Sequence, residues 1–132
     1  MGKIWLIAAD WKFRALVRAQ LLEEGFEVKT FPSVAIALAH LLHSAEQPRL
    51  TIVDLQGDEH DAQTLSDLKR LTEGAPLILC GGALSRPILN KVAPSQEERS
   101  PARVLLRPFR VGDLVREVQR MGAWAEGNAV AE

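Results

Sequence analysis

Short continuous apolar runs alternate along the chain with longer stretches in which apolar residues return every three or four positions. Residues 4–9, Ile-Trp-Leu-Ile-Ala-Ala, form the first such run and end at Asp10, as a strand buried on both faces would. Phe13, Leu16, Val17 and Leu21 then recur at helical spacing up to Gly25, a natural helix stop. Residues 26–31 alternate with period two, which predicts a half-exposed strand near an edge. Pro32 and Ser33 open a second helix, with Ser33 as its cap and Val34, Ile36, Leu38, Leu41 and Leu42 as its apolar positions. Residues 50–53 read as a third strand running out at Asp54 and Leu55.

The second half repeats the theme. The turn-forming stretch Gln56-Gly57-Asp58-Glu59 precedes a helix from about Asp61, with Leu65, Leu68 and Leu71 along one face. Residues 76–80 form a buried strand broken by Gly81-Gly82, and residues 84–92 a short helix with Pro87 tolerable in its first turn. A polar loop framed by Pro94 and Pro101 leads to a fifth strand, residues 104–106, then to Arg107-Pro108-Phe109. A last helix runs from Val111 to Met121 on a stripe of Leu114, Val115 and Val118. The folded unit is expected to cover residues 1–121. Residues 122–132, rich in Ala and Gly, are expected to be a flexible tail or the start of a linker, with Trp124 the one residue able to dock back.

Five apolar strands alternating with helices predict a (βα)5 α/β domain, a doubly wound parallel sheet with right-handed crossovers. In such a sheet, functional groups gather at the carboxyl ends of the strands. Asp10, Asp54, Gly81-Gly82 and Arg107 all fall there.

Length and composition narrow the function. A chain of 132 residues is one domain's worth and buries roughly two-thirds of its unfolded surface, so it needs no metal or disulfide staple. A net charge of -1 argues against direct binding of nucleic acid. Cys80 is the only cysteine, which rules out an intrachain disulfide and suits a reducing cytoplasm. The opening apolar run of six residues is too short for a signal-peptide core or a membrane span.

Three stretches together resemble the receiver domain of two-component response regulators, over roughly residues 3–121. Residues 14–28, Arg-Ala-Leu-Val-Arg-Ala-Gln-Leu-Leu-Glu-Glu-Gly-Phe-Glu-Val, are similar to the family's first helix and second strand. Residues 48–55, Pro-Arg-Leu-Thr-Ile-Val-Asp-Leu, are similar to its third strand, which ends near the phosphoacceptor aspartate. Arg107-Pro108-Phe109 resembles its Lys-Pro-Phe after the fifth strand. The resemblance implies a flavodoxin-like sheet with strand order 2-1-3-4-5 and a role in phosphorelay signal transduction. It also implies a site where an aspartate accepts a phosphoryl group with the help of magnesium, an acidic pair, a hydroxyl, a lysine and a switching aromatic.

Residue by residue, the chain departs from that set. The alignment places Ala8 and Ala9 where the acidic pair belongs, with Asp10 one position later as a residual acidic-site residue. Gly81 stands at the hydroxyl position, Val104 at the aromatic switch and Arg107 at the lysine; Asp54 alone is retained. The resemblance therefore implies a degenerate receiver, a pseudo-receiver acting mainly through protein contacts. Asp54 is either a remaining phosphoacceptor or a strand-end carboxylate paired with Arg107, whose guanidinium offers a bidentate partner in place of a metal. No cofactor is expected, and magnesium only if Asp54 accepts phosphate, with a histidine kinase then among the partners. A flavodoxin-like cofactor carrier is a further alternative, from another class.

Other residues have plainer readings. Cys80, at the end of an apolar strand, is an inert buried thiol. His40 and His43 lie three apart on one helix without a third ligand, so no metal site is expected there. Gly81-Gly82 lacks the wider pattern of a nucleotide-binding fingerprint. Trp5 and Trp11 are expected in the core and in loop packing. Arg110, Asp113, Arg116, Glu117 and Arg120 flank the last helix's apolar stripe, either as i,i+3 and i,i+4 ion pairs or as part of an interface. In receivers, the face made by the fourth helix, fifth strand and fifth helix carries protein partners or a homodimer. No membrane contact is expected.

Overall fold

Strands that are apolar at nearly every position need cover on both faces, and three of the five here have it. The computed structural model describes residues 2–57, 62–72, 74–93 and 101–131, with side chains as far as Met121. Strands β1 (Ile4–Ile7), β3 (Leu50–Asp54) and β4 (Leu77–Gly81) are buried at every residue. The strands β2 (Val28–Phe31) and β5 (Ala102–Leu106) are largely half-buried. The sheet is parallel throughout, in the order β2-β1-β3-β4-β5, so the two half-buried strands are its edges. This is the doubly wound parallel sheet expected from the alternating pattern, in the flavodoxin-like order that the resemblance implies.

Helices α1 (Trp11–Glu23) and α5 (Val111–Ala131) cover one face; α2 (Val34–His43), α3 (Ala62–Leu71) and α4 (Arg86–Val92) cover the other. Ile4, Leu6, Val17, Leu21, Ile52, Ile78, Leu114 and Val118 pack together on the first side. On the second side Trp5, Ile7, Phe31, Ala37, Val53, Leu65, Leu68, Leu79 and Leu89 do so. Alternation along β1 and β3 thus sends successive side chains into two separate cores.

Local chemistry sets the helix ends. Asp10 caps α1, its Oδ1 accepting from Lys12 N at 2.9 Å, and Ser33 caps α2, its Oγ accepting from Ile36 N at 3.2 Å. Gly25 takes φ +89° just past α1, a conformation few other residues adopt. A single 3-10 turn, Ala83–Ser85, leads into α4, with Pro87 in the helix's first turn.

Several expectations need correction. Helix α5 does not stop at Met121 but continues to Ala131, because alanine outweighs the two glycines in that stretch. Trp11 is not a packing residue: it is 64% exposed at the start of α1. Leu16, Ile36 and Leu42 also face solvent, and α2 buries Val34, Ala37 and Leu41 instead. The polar loop of residues 94–100, Asp58, Glu59 and the side chain of Trp124 lie outside the described residues.

Candidate functional site

Asp54 is the last residue of β3 and 1% exposed. Arg107, directly after β5, meets it with both arms of its guanidinium. Nη1 donates to Oδ1 and Nη2 to Oδ2, each at 2.9 Å. Two parallel bonds from a planar fork to a planar carboxylate form the strong, orientationally specific kind of ion pair. A third donor, the backbone N–H of Gln56, reaches Oδ1 at 3.2 Å and closes a turn over the strand end.

Arg107 is itself positioned from several sides. Its backbone N–H donates to the carbonyl of Gly81 at 2.8 Å, tying the end of β5 to the end of β4. Its Cζ lies 5.2 Å from the ring centroids of both Phe13, on α1, and Phe109. Those two rings meet edge to face, 6.2 Å apart. A guanidinium against two aromatic faces loses water and gains attraction from the ring quadrupoles, which fixes its direction toward Asp54. The Arg107-Pro108 peptide is cis.

The ends of β1 bring no acid to this centre. Ala8 is fully buried and Ala9 half-buried. Gly57, at φ +79°, folds so close above that a Cβ on it would sit 3.4 Å from the Ala9 methyl. Asp10, a possible residual acidic-site residue, is an exposed helix cap, its Oδ1 accepting from Lys12 N at the start of α1. A cation stands where the acids would act: Arg14 Nη1 donates to the carbonyl of Ala8 at 2.6 Å.

This donor set does not fit magnesium, which needs several hard oxygen ligands in near-octahedral geometry. Ala8 and Ala9 offer methyl groups, Asp54 has both oxygens on a guanidinium, and Arg14 takes the Ala8 carbonyl. Among the described residues no three His, Cys, Asp or Glu side chains converge to hold a metal ion.

Gly81 closes the sheet side of the site, and its Cα faces Ser85. A Cβ built on Gly81 would lie 2.9 Å from Ser85 Cβ and 3.1 Å from its Oγ. A hydroxyl does stand near this strand end, that of Ser85, four residues further on. Beside it lies a shallow cavity of about 470 Å³ lined by Leu55, Gln56, Gly57, Gly82, Ala83, Leu84 and Ser85. Its lining is mainly apolar and backbone, without a charged side chain. Val104, at the position of the family's switching aromatic, is half-buried and packs against the α2–α4 core.

Phe13, Arg14 and Ser85 are parts of this site that the sequence did not single out. For Phe13 the available signal was its place near the start of α1, beside the strand ends. Arg14 gave none, because a helix-surface arginine looks the same in sequence whether it faces water or a carbonyl.

The remaining candidates stand apart. Cys80 is buried beside Asp54 in the β3–β4 register, and burial pushes its thiol far above the ordinary range. His40 Nε2 lies 3.1 Å from both Glu46 Oε2 and Lys29 Nζ, making a small polar cluster next to Trp5 and Phe31; His43 is exposed. On α5, Arg116 pairs with Asp113 and Arg120 with Glu117, three residues apart. Glu117 also accepts from Arg103 Nε on β5 at 3.0 Å. Among the described residues no helix is long and apolar enough to cross a membrane.

No protein-family model matches the sequence, and no curated protein matches it. Solved structures do. The chain superposes on NtrX from Brucella abortus with a TM-score of 0.74 at 24% sequence identity, over 99% of this chain and 29% of that one. The receiver domain of NtrX gives a TM-score of 0.69 at 23% identity, over 92% and 98% of the two chains. A CheY-like response regulator receiver domain protein from Methanospirillum hungatei JF-1 gives 0.76 at 17% identity, over 97% and 98%. The fold is that of response-regulator receiver domains, and the chain spans less than a third of the NtrX chain it matches.

Proposed function

We propose that this chain is a receiver-like signalling module that works by protein contacts, with phosphotransfer weak or lost. The observation that carries the proposal is the bidentate Asp54–Arg107 pair. A carboxylate that attacks a phosphoryl donor must have a free oxygen, with cationic help for the charge that develops on the phosphoryl group. Here both oxygens are occupied, and the cation that holds them is fixed between two aromatic rings. Arg107 stands in for the metal and neutralises Asp54, so the module stays in its unphosphorylated state. It is a binding protein and not an enzyme.

Its partner surface is the face of α4, β5 and α5. Val104, Leu105 and Leu106 are half-exposed on the edge strand, and Arg103, Glu117 and Arg120 form a charged network beside them. The occupant is another protein or a second copy, in a cytoplasmic setting that suits a lone buried thiol.

A second reading keeps Asp54 as a phosphoacceptor for a histidine kinase. Ser85 favours it, because its hydroxyl stands close to where a side chain on Gly81 would project. Incubation with magnesium and a small phosphoryl donor, followed by intact mass, separates the two. An unchanged mass is the expected result. A stable added phosphate that disappears in Asp54→Ala supports the second reading and overturns the first.

A further inference from the structure

Helix α1 has an apolar face on the wrong side. Its buried residues are Val17 and Leu21, yet Trp11, Leu16 and Leu22 are 64%, 51% and 42% exposed, with Ala15 and Ala19 exposed between them. At 100° per residue Trp11, Leu22, Ala15 and Ala19 fall within one quadrant of the helix, opposite the core. A helix apolar on both faces is ordinarily covered on both.

The charges on α1 are reversed as well. Apart from the capping Asp10, no acid lies in its first turn and no base in its last. Lys12 stands exposed at the start and Glu23 exposed at the end. Each opposes the helix macrodipole, which favours acids at the amino end and bases at the carboxyl end.

An antiparallel copy of the same helix accounts for both features. Placing a two-fold axis at the level of Val17 sets Trp11 against Leu22 of the second copy along one flank. Ala15 then faces Ala19 at the crossing, where small side chains let the helices approach. Lys12 meets Glu23 along the other flank, and the two macrodipoles run head to tail. Arg18, at the edge of the face, stays in water in both copies. A pattern that matches itself under a two-fold rotation is the signature of an isologous interface.

We infer that the exposed face of α1 is a homodimer surface, occupied by a second copy of this chain in antiparallel register. The surface is separate from the α4–β5–α5 face, and the inference does not depend on whether Asp54 accepts phosphate. One thirteen-residue helix from each copy makes a small interface, so the dimer forms reversibly and with concentration.

Sedimentation equilibrium on the full chain tests it. The expected result is a mean mass that rises from 14.6 kDa toward twice that value with concentration. Trp11→Ala and Ala19→Arg each weaken the dimer at least about tenfold. Lys12→Glu and Glu23→Lys each weaken it about two- to fivefold, and the double exchange restores it. Both single exchanges set a charge in line with the macrodipole, so melting of the dilute monomer holds or rises while dimerisation falls. That opposite movement excludes misfolding as the cause. A chain that stays monomeric up to about 1 mM overturns the inference and leaves the face to a different partner. So does a dimer indifferent to all four substitutions.

Discussion

Asp54 and Arg107 are unequal partners: the carboxylate is 1% exposed, while the guanidinium keeps 29% of its side-chain surface in water. Deleting them should therefore have unequal cost. Arg107→Ala strands a buried carboxylate and should destabilise the domain by about 3–5 kcal/mol. Asp54→Ala leaves a guanidinium that is still partly in water and still held by Phe13 and Phe109, at a cost of about 1–2 kcal/mol. Denaturant unfolding of both variants measures the difference. Equal losses would mean that the pair is not held by the burial of Asp54.

Gly81 can be tested against Ser85. Gly81→Ala places a methyl 2.9 Å from Ser85 Cβ and 3.3 Å from Leu89 Cδ1, in the path of the 3-10 turn. The expected loss is about 1–3 kcal/mol, an overpacking effect. Adding Ser85→Gly should recover most of it, as read in the midpoint of thermal unfolding. If the second substitution recovers nothing, the two positions are not competing for one volume.

Asp10 serves the helix, its Oδ1 accepting from Lys12 N at the start of α1. Asp10→Ala should cost about 0.5–2 kcal/mol through the lost cap. The same variant should leave intact-mass behaviour with a phosphoryl donor unchanged. A phosphate gained by the parent chain and lost in Asp10→Ala would show the carboxylate acting as a ligand.

Glu46 gives the fold a dependence on acid. A hydrogen bond from Lys29, with a second from His40, holds its carboxyl below the ordinary value of 4.5. A depressed carboxyl contributes stability that is complete above its unfolded value and is lost as pH falls through the folded one. Stability should thus decline below about pH 4.5 more steeply in the parent than in Glu46→Gln. Parallel curves of unfolding free energy against pH would remove Glu46 from the acid response.

How much of this was legible in the sequence differs by element. The parallel sheet and its two covered faces followed from runs such as residues 4–9 and 50–53, because a strand covered twice is apolar at nearly every position, whereas the strand order came only with the resemblance. The Asp54–Arg107 pair was also readable, since strand ends fix where those two groups converge. Helix α1 was not. Its exposed Trp11 and Leu16 carry the same apolar signal as Val17 and Leu21, and periodicity alone cannot tell a core face from a second covered one. Asp10 misled for a related reason: a carboxylate one residue before a helix suits a cap as well as a metal, and backbone geometry decides between them. The reach of Arg14 to the Ala8 carbonyl depends on a rotamer, which no spacing rule encodes.

The burial of Cys80 makes the chain a clean background for site-directed labelling. With its one thiol on β4 buried in the core under α1 and α5, any cysteine introduced at the surface would be the sole site open to a maleimide dye or spin label. Probes at the start of α1 and on β5 could then report distances across each proposed interface, without first removing a native residue and disturbing the packing under α5.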